Sequence, residues 1–315
     1  MAITLVQLEY IVAVDTWRHF ATAAAKCFIT QPTLSMQLQK VEADLGVQIF
    51  DRSKVPVVPT AEGVEIIQQA RVILKEVERL SEITRERQGE IVGELRLGIL
   101  PTIAPYLLPL FLKSFLQKYP GIRLKVTELT TEILVDHLKK NLLDAGLVVT
   151  PLNDPGIFEQ PLFYEEFVVY VSPAETVYRK RYVLAEDIDV RHLWLLEEGH
   201  CLRSQIMNLC ELKSRVQEDN NFHYEAGSIE TLKKMVEMQN GITILPQLAL
   251  QDLNSQQLKM VRHFKPPAPV REVSLVTHRS FVKKRILDVL HHEILLVVPQ
   301  EMQHKGPRTV VEYAT

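Results

Sequence analysis

Apolar residues recur at helical spacing through the first 60 positions. Leu5, Leu8, Ile11 and Val12 define a first helix. Phe20, Ala23, Ala24 and Cys27 define a second, short one whose buried side is built of small residues. Phe28-Ile29-Thr30 interrupts the pattern. Gln31-Pro32-Thr33 then opens a third helix, with Pro32 in a first turn where no backbone donor is needed. Leu34, Leu38, Val41 and Leu45 follow as one apolar stripe, and Gly46 is placed to end the helix. Two helices joined by so short a turn make a helix-turn-helix. Asp51–Thr60, with Pro56 and Pro59, predicts a small wing.

From Ala61 to about Gln88 there is no proline and only an early Gly63. Ile66, Ala70, Ile73, Val77 and Leu80 form a heptad seam, with Glu, Arg and Lys on the outside. A lone helix this long and polar is unstable in water. The predicted partner is its twin in a homodimer; the alternative is packing on its own domain. Gly89–Gly93 is a predicted hinge.

Beyond the hinge the pattern alternates. Glu94–Leu100, Arg123–Leu129, Ala145–Thr150, Phe167–Val171, Leu193–Leu196, Phe222–Ala226, Ile242–Leu245 and Arg271–Thr277 are predicted strands. Tyr106–Lys118, Thr131–Leu142, Ile229–Gln239 and Lys283–Leu296 are predicted helices. The alternation predicts an α/β region with a largely parallel sheet, divided into two lobes. Lobe I takes about 94–165 and 270–300, and lobe II about 166–269. Residues 301–315 carry little apolar periodicity and are expected to form a loose tail. The whole chain is thus an α+β multidomain protein: 1–60 a winged helix-turn-helix, 61–88 a linker helix, 89–93 a hinge, 94–300 a two-lobed domain.

Composition narrows the classes. The 315 residues suggest about two domains. With 46% hydrophobic and 24% charged residues, the chain is neither disordered nor a disulfide-dense scaffold. No apolar run approaches the ~18–20 residues that cross a bilayer. The stretch from Met1 to Gln7 has no basic region before an apolar core, so it does not read as a secretory signal, and the expected location is the cytoplasm. Net charge is −3, and the first 60 residues balance their charges. Any case for nucleic-acid binding therefore rests on local geometry. Cys27, Cys201 and Cys210 are too few for a structural framework in a reducing compartment. No His/Cys cluster has zinc spacing and no phosphate loop is present, so no metal or cofactor is expected.

Four motifs come in order: Phe20-Ala21-Thr22-Ala23-Ala24, Thr30-Gln31-Pro32-Thr33-Leu34-Ser35, Leu45-Gly46-Val47-Gln48-Ile49-Phe50-Asp51-Arg52 and Thr60-Ala61-Glu62-Gly63. Together they resemble the LysR-type transcriptional regulators. That resemblance implies a winged helix-turn-helix, a dimerising linker helix and a two-lobed effector domain like the periplasmic binding proteins. It points to Thr30, Gln31, Pro32, Thr33 and Ser35 as the end of the third helix that meets promoter DNA. Short hydroxyls and amides suit base edges in the major groove. Arg52 and Lys54, at the wing, are expected to meet backbone phosphates, which position without specifying sequence. The resemblance also implies assembly beyond a dimer, to a homotetramer, and contact with RNA polymerase.

The run from Glu197 to Cys210 carries the sharpest chemistry. His200 and Arg203 flank Cys201, and a helix start near Gly199 would place that thiol in a first turn, where the dipole favours an anion. These features predict a lowered thiol pKa. Cys210, among Met207, Leu209 and Leu212, reads as a slower, buried thiol. On spacing alone, two such cysteines read more readily as part of an ordinary core. However, Gly199-His200-Cys201-Leu202-Arg203 with Gln205 and Cys210 resembles the peroxide-sensing members of the LysR-type family. So do Pro101-Thr102, Pro105-Tyr106-Leu107-Leu108-Pro109, Ser228-Ile229-Glu230-Thr231-Leu232 and Gly241-Ile242-Thr243-Ile244-Leu245-Pro246.

This second resemblance implies that Cys201 attacks hydrogen peroxide, becomes a sulfenic acid and is resolved by Cys210 as a disulfide. It implies that Thr102 and Thr131 hold peroxide, with His200 and Arg203 polarising the site. The alternative for both threonines is capping of the helices that follow them. Nine residues of helix would separate the sulfurs by a rise of about 13–14 Å, whereas a disulfide needs Cα atoms about 4.4–6.8 Å apart. Oxidation would then force a local refolding. Ser204 departs from the resemblance, standing where Asp is common. The competing reading is a regulator of the same family that answers to a small organic effector between the lobes. A thiol peroxidase and a solute-binding protein are disfavoured by the DNA-reading head, so no enzyme is expected.

Overall fold

The computed structural model describes residues 3–88, 91–209, 226–281 and 283–312. It divides into two compact units, one running to the end of the linker helix and one beginning at Ile91.

In the first unit α1 (Leu5–Trp17) starts at a capping box. The Thr4 side chain accepts from the Gln7 amide, and Gln7 Oε1 accepts from the Thr4 amide. α2 (Phe20–Lys26) and α3 (Gln31–Leu45) follow, α3 capped by Thr30 and ended by Gly46 in the left-handed region. The predicted stripe is realised: Leu34, Leu38 and Val41 are buried with Leu8, Ile11, Val14, Ala23 and Ala24. Cys27 is only half-buried, at the C-cap of α2 rather than in the core. β1 (Phe50–Asp51) and β2 (Val58–Pro59) pair antiparallel as the wing.

α4 (Ala61–Gln88) buries only the start of its apolar seam. Ile67 and Ala70 join the domain core, and Ile66 and Leu74 pack against it. Gly63 lies so close to Ile49 that a Cβ would stand 2.0 Å from its carbonyl oxygen, which fixes how α4 leaves the wing. Further along, Ile73, Val77 and Leu80 stay 37%, 37% and 65% exposed. The start of the seam therefore packs on its own domain, and the later apolar positions do not.

The second unit begins with β3 (Gly93–Ile99), α5 (Ala104–Lys118), β4 (Ile122–Glu128), α6 (Thr131–Lys139) and β5 (Ala145–Thr150). It continues through β6 (Ile157–Val171), β7 (Tyr182–Val183), α7 (Cys201–Leu209), α8 (Ile229–Gln239) and β8 (Ile242–Pro246). α9 (Ser255–Leu258), β9 (Val261–Phe264), β10 (Pro269–His278), α10 (Lys284–Val297) and β11 (Thr309–Val310) close it. Strands β4, β3 and β5 are parallel, as the alternation predicts.

The rest of the sheet is mostly antiparallel, which corrects the expectation of a largely parallel one. The cause is β6. Its first part pairs with β10 and its last five residues pair with β8 and β9, the change of partner falling between Glu166 and Phe167. Only Phe167–Val171 was legible as a strand, because Pro161 and the charged residues around it hide the first part. A register shift opposite Val273 and Ser274 absorbs that proline.

Other expectations shift as well. Leu193–Leu196 is reduced to two bridging contacts, Leu193 with Ile242 and Leu196 with Ala226. The predicted strand Phe222–Ala226 lies, but for Ala226, outside the described residues, as does the start of the hinge. The segment after Gln300 is not a loose tail: Met302 is buried, and β11 pairs with β10.

Candidate functional site: a buried thiol between two helix starts

Cys201 is the first residue of α7 and is buried. The turn before it passes through Gly199 at φ +90°, a conformation glycine adopts at no steric cost. That turn abuts the start of α6: a Cβ on Gly199 would lie 3.9 Å from the Thr130 methyl. The starts of α6 and α7 therefore lie close together, and a helix start carries partial positive charge.

Neither threonine is the helix cap that the alternative reading requires. Thr130, not Thr131, is the N-cap of α6. The Thr131 hydroxyl is buried and has no hydrogen-bond partner. It stands beside the Cys201 thiol without making a well-formed bond to it. Ile103, not Thr102, is the N-cap of α5. Thr102 is buried, and its hydroxyl accepts from Arg271 Nη1 at 3.2 Å, its carbonyl from Arg271 Nη2 at 3.1 Å.

Arg271, on β10, is the residue that reading the sequence missed. It is 1% exposed and bonds Glu165 on β6, which is fully buried, at 2.7 Å. Glu165 also accepts from the Leu248 amide. A guanidinium keeps its charge at any relevant pH, so this is a permanent cation in the interior. A signal was present: an arginine inside the apolar run Pro269-Val270-Arg271-Glu272-Val273 demands a buried partner.

The thiol feels these surroundings in opposite directions. Burial pushes Cys201 above the ordinary cysteine value. The Arg271 charge, the Thr131 hydroxyl and the first amides of α7 pull it down. The net direction is upward, which corrects the expectation of a lowered pKa. The flanking residues are engaged elsewhere. Arg203 Nη1 donates to the Leu196 carbonyl at 2.8 Å, so its charge is directed at a backbone oxygen. His200 is buried with Nε2 at 3.6 Å from Glu197. Cys210 lies outside the described residues. α7 runs unbroken to Leu209, so the residue before Cys210 is about 12 Å of helical rise from Cys201.

At the other end of the chain, α3 leaves Gln31 and Pro32 exposed and Thr33 and Ser35 half-buried. Thr30 serves as the cap, with its hydroxyl 2.8 Å from that of Thr33. Arg52 already has partners within the head. Its guanidinium bonds Glu42 at 2.7 Å and Ser35 at 3.1 Å and lies over the Phe20 ring. It braces the wing against α3, because Glu42 also accepts from the Ile49 and Phe50 amides. Lys54 is exposed, with only a loose 3.9 Å approach to Asp51. Met36, one turn beyond Pro32, is 58% exposed on the same helix and was not anticipated.

A DNA-reading head joined to a sheet domain with a buried cysteine is the layout of a one-component regulator. Residues 5–64 match the bacterial regulatory helix-turn-helix proteins of the lysR family, and residues 88–295 match the LysR substrate binding domain. The chain belongs to the LysR family of transcriptional regulators. It is 33% identical over 271 residues to a hydrogen peroxide-inducible genes activator of Haemophilus influenzae, covering 85% of this chain and 88% of that one. It is 34% identical to the DNA-binding transcriptional dual regulator OxyR of Escherichia coli, covering 85% and 87%. Among solved structures, a full-length OxyR cysteine variant from Pseudomonas aeruginosa aligns with a TM-score of 0.77 at 32% identity, over 94% of this chain and 99% of that one. A hydrogen-peroxide-bound OxyR mutant from Corynebacterium glutamicum aligns with a TM-score of 0.60 at 27% identity, over 94% and 93%. No helix among the described residues is long and apolar enough to cross a membrane.

Proposed function

We propose that this regulator senses hydrogen peroxide through Cys201 and transmits the event to promoter DNA. The observation that carries the reading is the Thr131 hydroxyl, buried beside the thiol with no partner of its own, together with the Arg271 charge that acts on the same thiol and is bonded to Thr102. An orphaned buried hydroxyl is costly unless a small polar molecule completes it. Hydrogen peroxide is small and both donates and accepts.

The Cys201 sulfur attacks one peroxide oxygen and the O–O bond breaks. The departing hydroxide takes up the proton released on forming the thiolate and leaves as water. Cys201 is then a sulfenic acid. Attack by the Cys210 sulfur breaks the S–O bond, releases a second water and forms the disulfide. Thr131 and Thr102 orient the peroxide, and Arg271 stabilises negative charge on sulfur. His200 closes the pocket, and Arg203 fixes the turn before α7. Disulfide formation requires α7 to unwind, since its unbroken turns put Leu209, the residue before Cys210, about 12 Å of helical rise from Cys201.

The DNA-binding end comprises Gln31, Pro32, Thr33 and Ser35, oriented by the Thr30 cap, with Lys54 as the phosphate contact. The exposed stripe of Ile73, Val77 and Leu80 makes a second copy of the chain the partner of α4. Higher assembly and contact with RNA polymerase belong to the same reading, and the protein works in the cytoplasm where its DNA is.

The test is thiol trapping with mass spectrometry on the reduced full-length protein, before and after equimolar hydrogen peroxide. The expected product is a Cys201–Cys210 disulfide within seconds, with Cys27 free. Both thiols remaining free under excess peroxide would end the sensing reading and leave a small organic effector as the signal.

A further inference from the structure

The segment after α10 makes contacts that the sensing chemistry does not use. Gln303 Nε2 donates to the Leu295 and Val298 carbonyls, tying the chain to the end of α10. Arg308 pairs with Glu166 at 3.0 Å. β11 then lies parallel to the start of β10, Thr309 opposite Pro269 and Val310 opposite Val270, and the Val311 amide donates to the Val270 carbonyl. The next residue of β10 is Arg271.

The other side of this segment is held by α7. Gln205, fully buried, donates from Nε2 to the Val311 carbonyl at 2.6 Å. Asn208 donates from Nδ2 to the Glu312 carbonyl at 2.9 Å. Gln205 is four residues after Cys201, so both sit on one face of the helix. Gln205 Oε1 has no partner. A fully buried amide with one orphaned oxygen is a poor choice for packing alone, and its remaining polar group is spent on the C-terminal backbone.

We propose that residues 309–312 form a clamp that seats α7, and that Gln205 is a positioning residue for the reaction of Cys201. The clamp bonds the strand carrying Arg271 on one side and the helix carrying Cys201 on the other. It thereby fixes the thiol against its cation and the Thr131 hydroxyl. The same bonds resist the unwinding of α7. The clamp therefore favours the first oxidation step and opposes the second. This inference rests on Cys201 being the thiol that meets peroxide.

The experiment compares three full-length proteins: the natural chain, a chain ending at Arg308, and Gln205→Leu. Sulfenate formation is followed in each on a Cys210→Ser background, and conversion of sulfenate to disulfide with Cys210 intact. Alkylation of Cys201 by iodoacetamide is measured alongside. Loss of the clamp should slow sulfenate formation about tenfold or more, because small misplacements of reacting atoms are costly. It should leave the disulfide step unchanged or faster, and it should speed alkylation of the newly exposed thiol. Sulfenate formation at the natural rate would overturn the proposal, and so would equal slowing of both steps, the mark of general damage. If the natural chain fails to react with peroxide, the sensing reading falls separately, and unchanged alkylation in both variants would then overturn the clamp itself.

Discussion

Arg271 and Thr102 are joined twice, hydroxyl and carbonyl of the threonine both accepting from one guanidinium at 3.2 and 3.1 Å. The threonine hydroxyl is thereby held as an acceptor, and its own proton remains available for a second partner. The same guanidinium is held from behind by Glu165. Its charge is thus fixed in place rather than free to follow the ligand.

Replacing that cation tests its role. Arg271→Gln keeps a donor toward Thr102 and removes the charge. The Arg271 charge pulls the Cys201 pKa down, so its loss should leave less thiolate and slow peroxide oxidation of Cys201 by roughly several-fold or more near neutral pH. Trapping of the sulfenate against time measures it. An unchanged rate would remove Arg271 from the site.

Acidity gives a second handle. Burial holds the Cys201 thiol above its ordinary value, so the reduced protein carries mainly neutral thiol at pH 7. Raising the pH increases the thiolate fraction, by about tenfold per unit until the pKa is reached. Oxidation should therefore accelerate steadily from pH 6 through pH 8. A rate flat across that interval would mean a thiolate already formed, and would contradict the direction found here.

Thr131→Val separates reactivity from stability. The change removes a buried hydroxyl that has no partner. Folding stability should change by less than about 1 kcal/mol, or improve, since an unsatisfied polar atom is lost. Oxidation by peroxide should nevertheless slow. Denaturant unfolding and sulfenate trapping on the same preparation decide it; a large loss of stability would show that the hydroxyl has a structural partner.

The two wing cations should behave differently. Lys54→Ala should weaken DNA binding at every sequence alike and lower the salt slope by about 1. Arg52→Ala should instead lower the melting temperature of the head, because Glu42 and Ser35 lose their partner. Binding titrations at several salt concentrations, with thermal melts, distinguish them. Equal salt effects from both would place Arg52 at the phosphate after all.

On α4, Val77→Glu puts a charge into the exposed apolar stripe without touching the buried Ile67 and Ala70. Sedimentation should show a shift toward monomer with the head still folded. An unchanged assembly would point to association through another surface.

These residues also mark what reading the chain from its sequence can reach. The helix-turn-helix was legible because its signals are local: the stripe of Leu34, Leu38 and Val41, the Thr30 cap, Pro32 and Gly46. The cysteine was legible for the same reason. Arg271 was not, since its meaning depends on Glu165 and Thr102, which lie 106 and 169 residues away in the chain. Charge adjacent in sequence was a poor guide: Arg203 is next to Cys201 on paper and bonded to Leu196 in space. The C-terminal segment escaped because a two-residue strand has no periodicity to read.

α7 is nine residues of wound chain, about 13 Å long, and the same residues drawn out would reach up to about 30 Å. A helix in this position is a spool. The proposed bond between Cys201 and Cys210 would not shorten the chain. It would let out slack that must be stowed, on a face already occupied by the Val311 and Glu312 carbonyls. One oxidised sulfur pair would thereby become several ångströms of displaced backbone, a movement far larger than the two atoms of oxygen that start it.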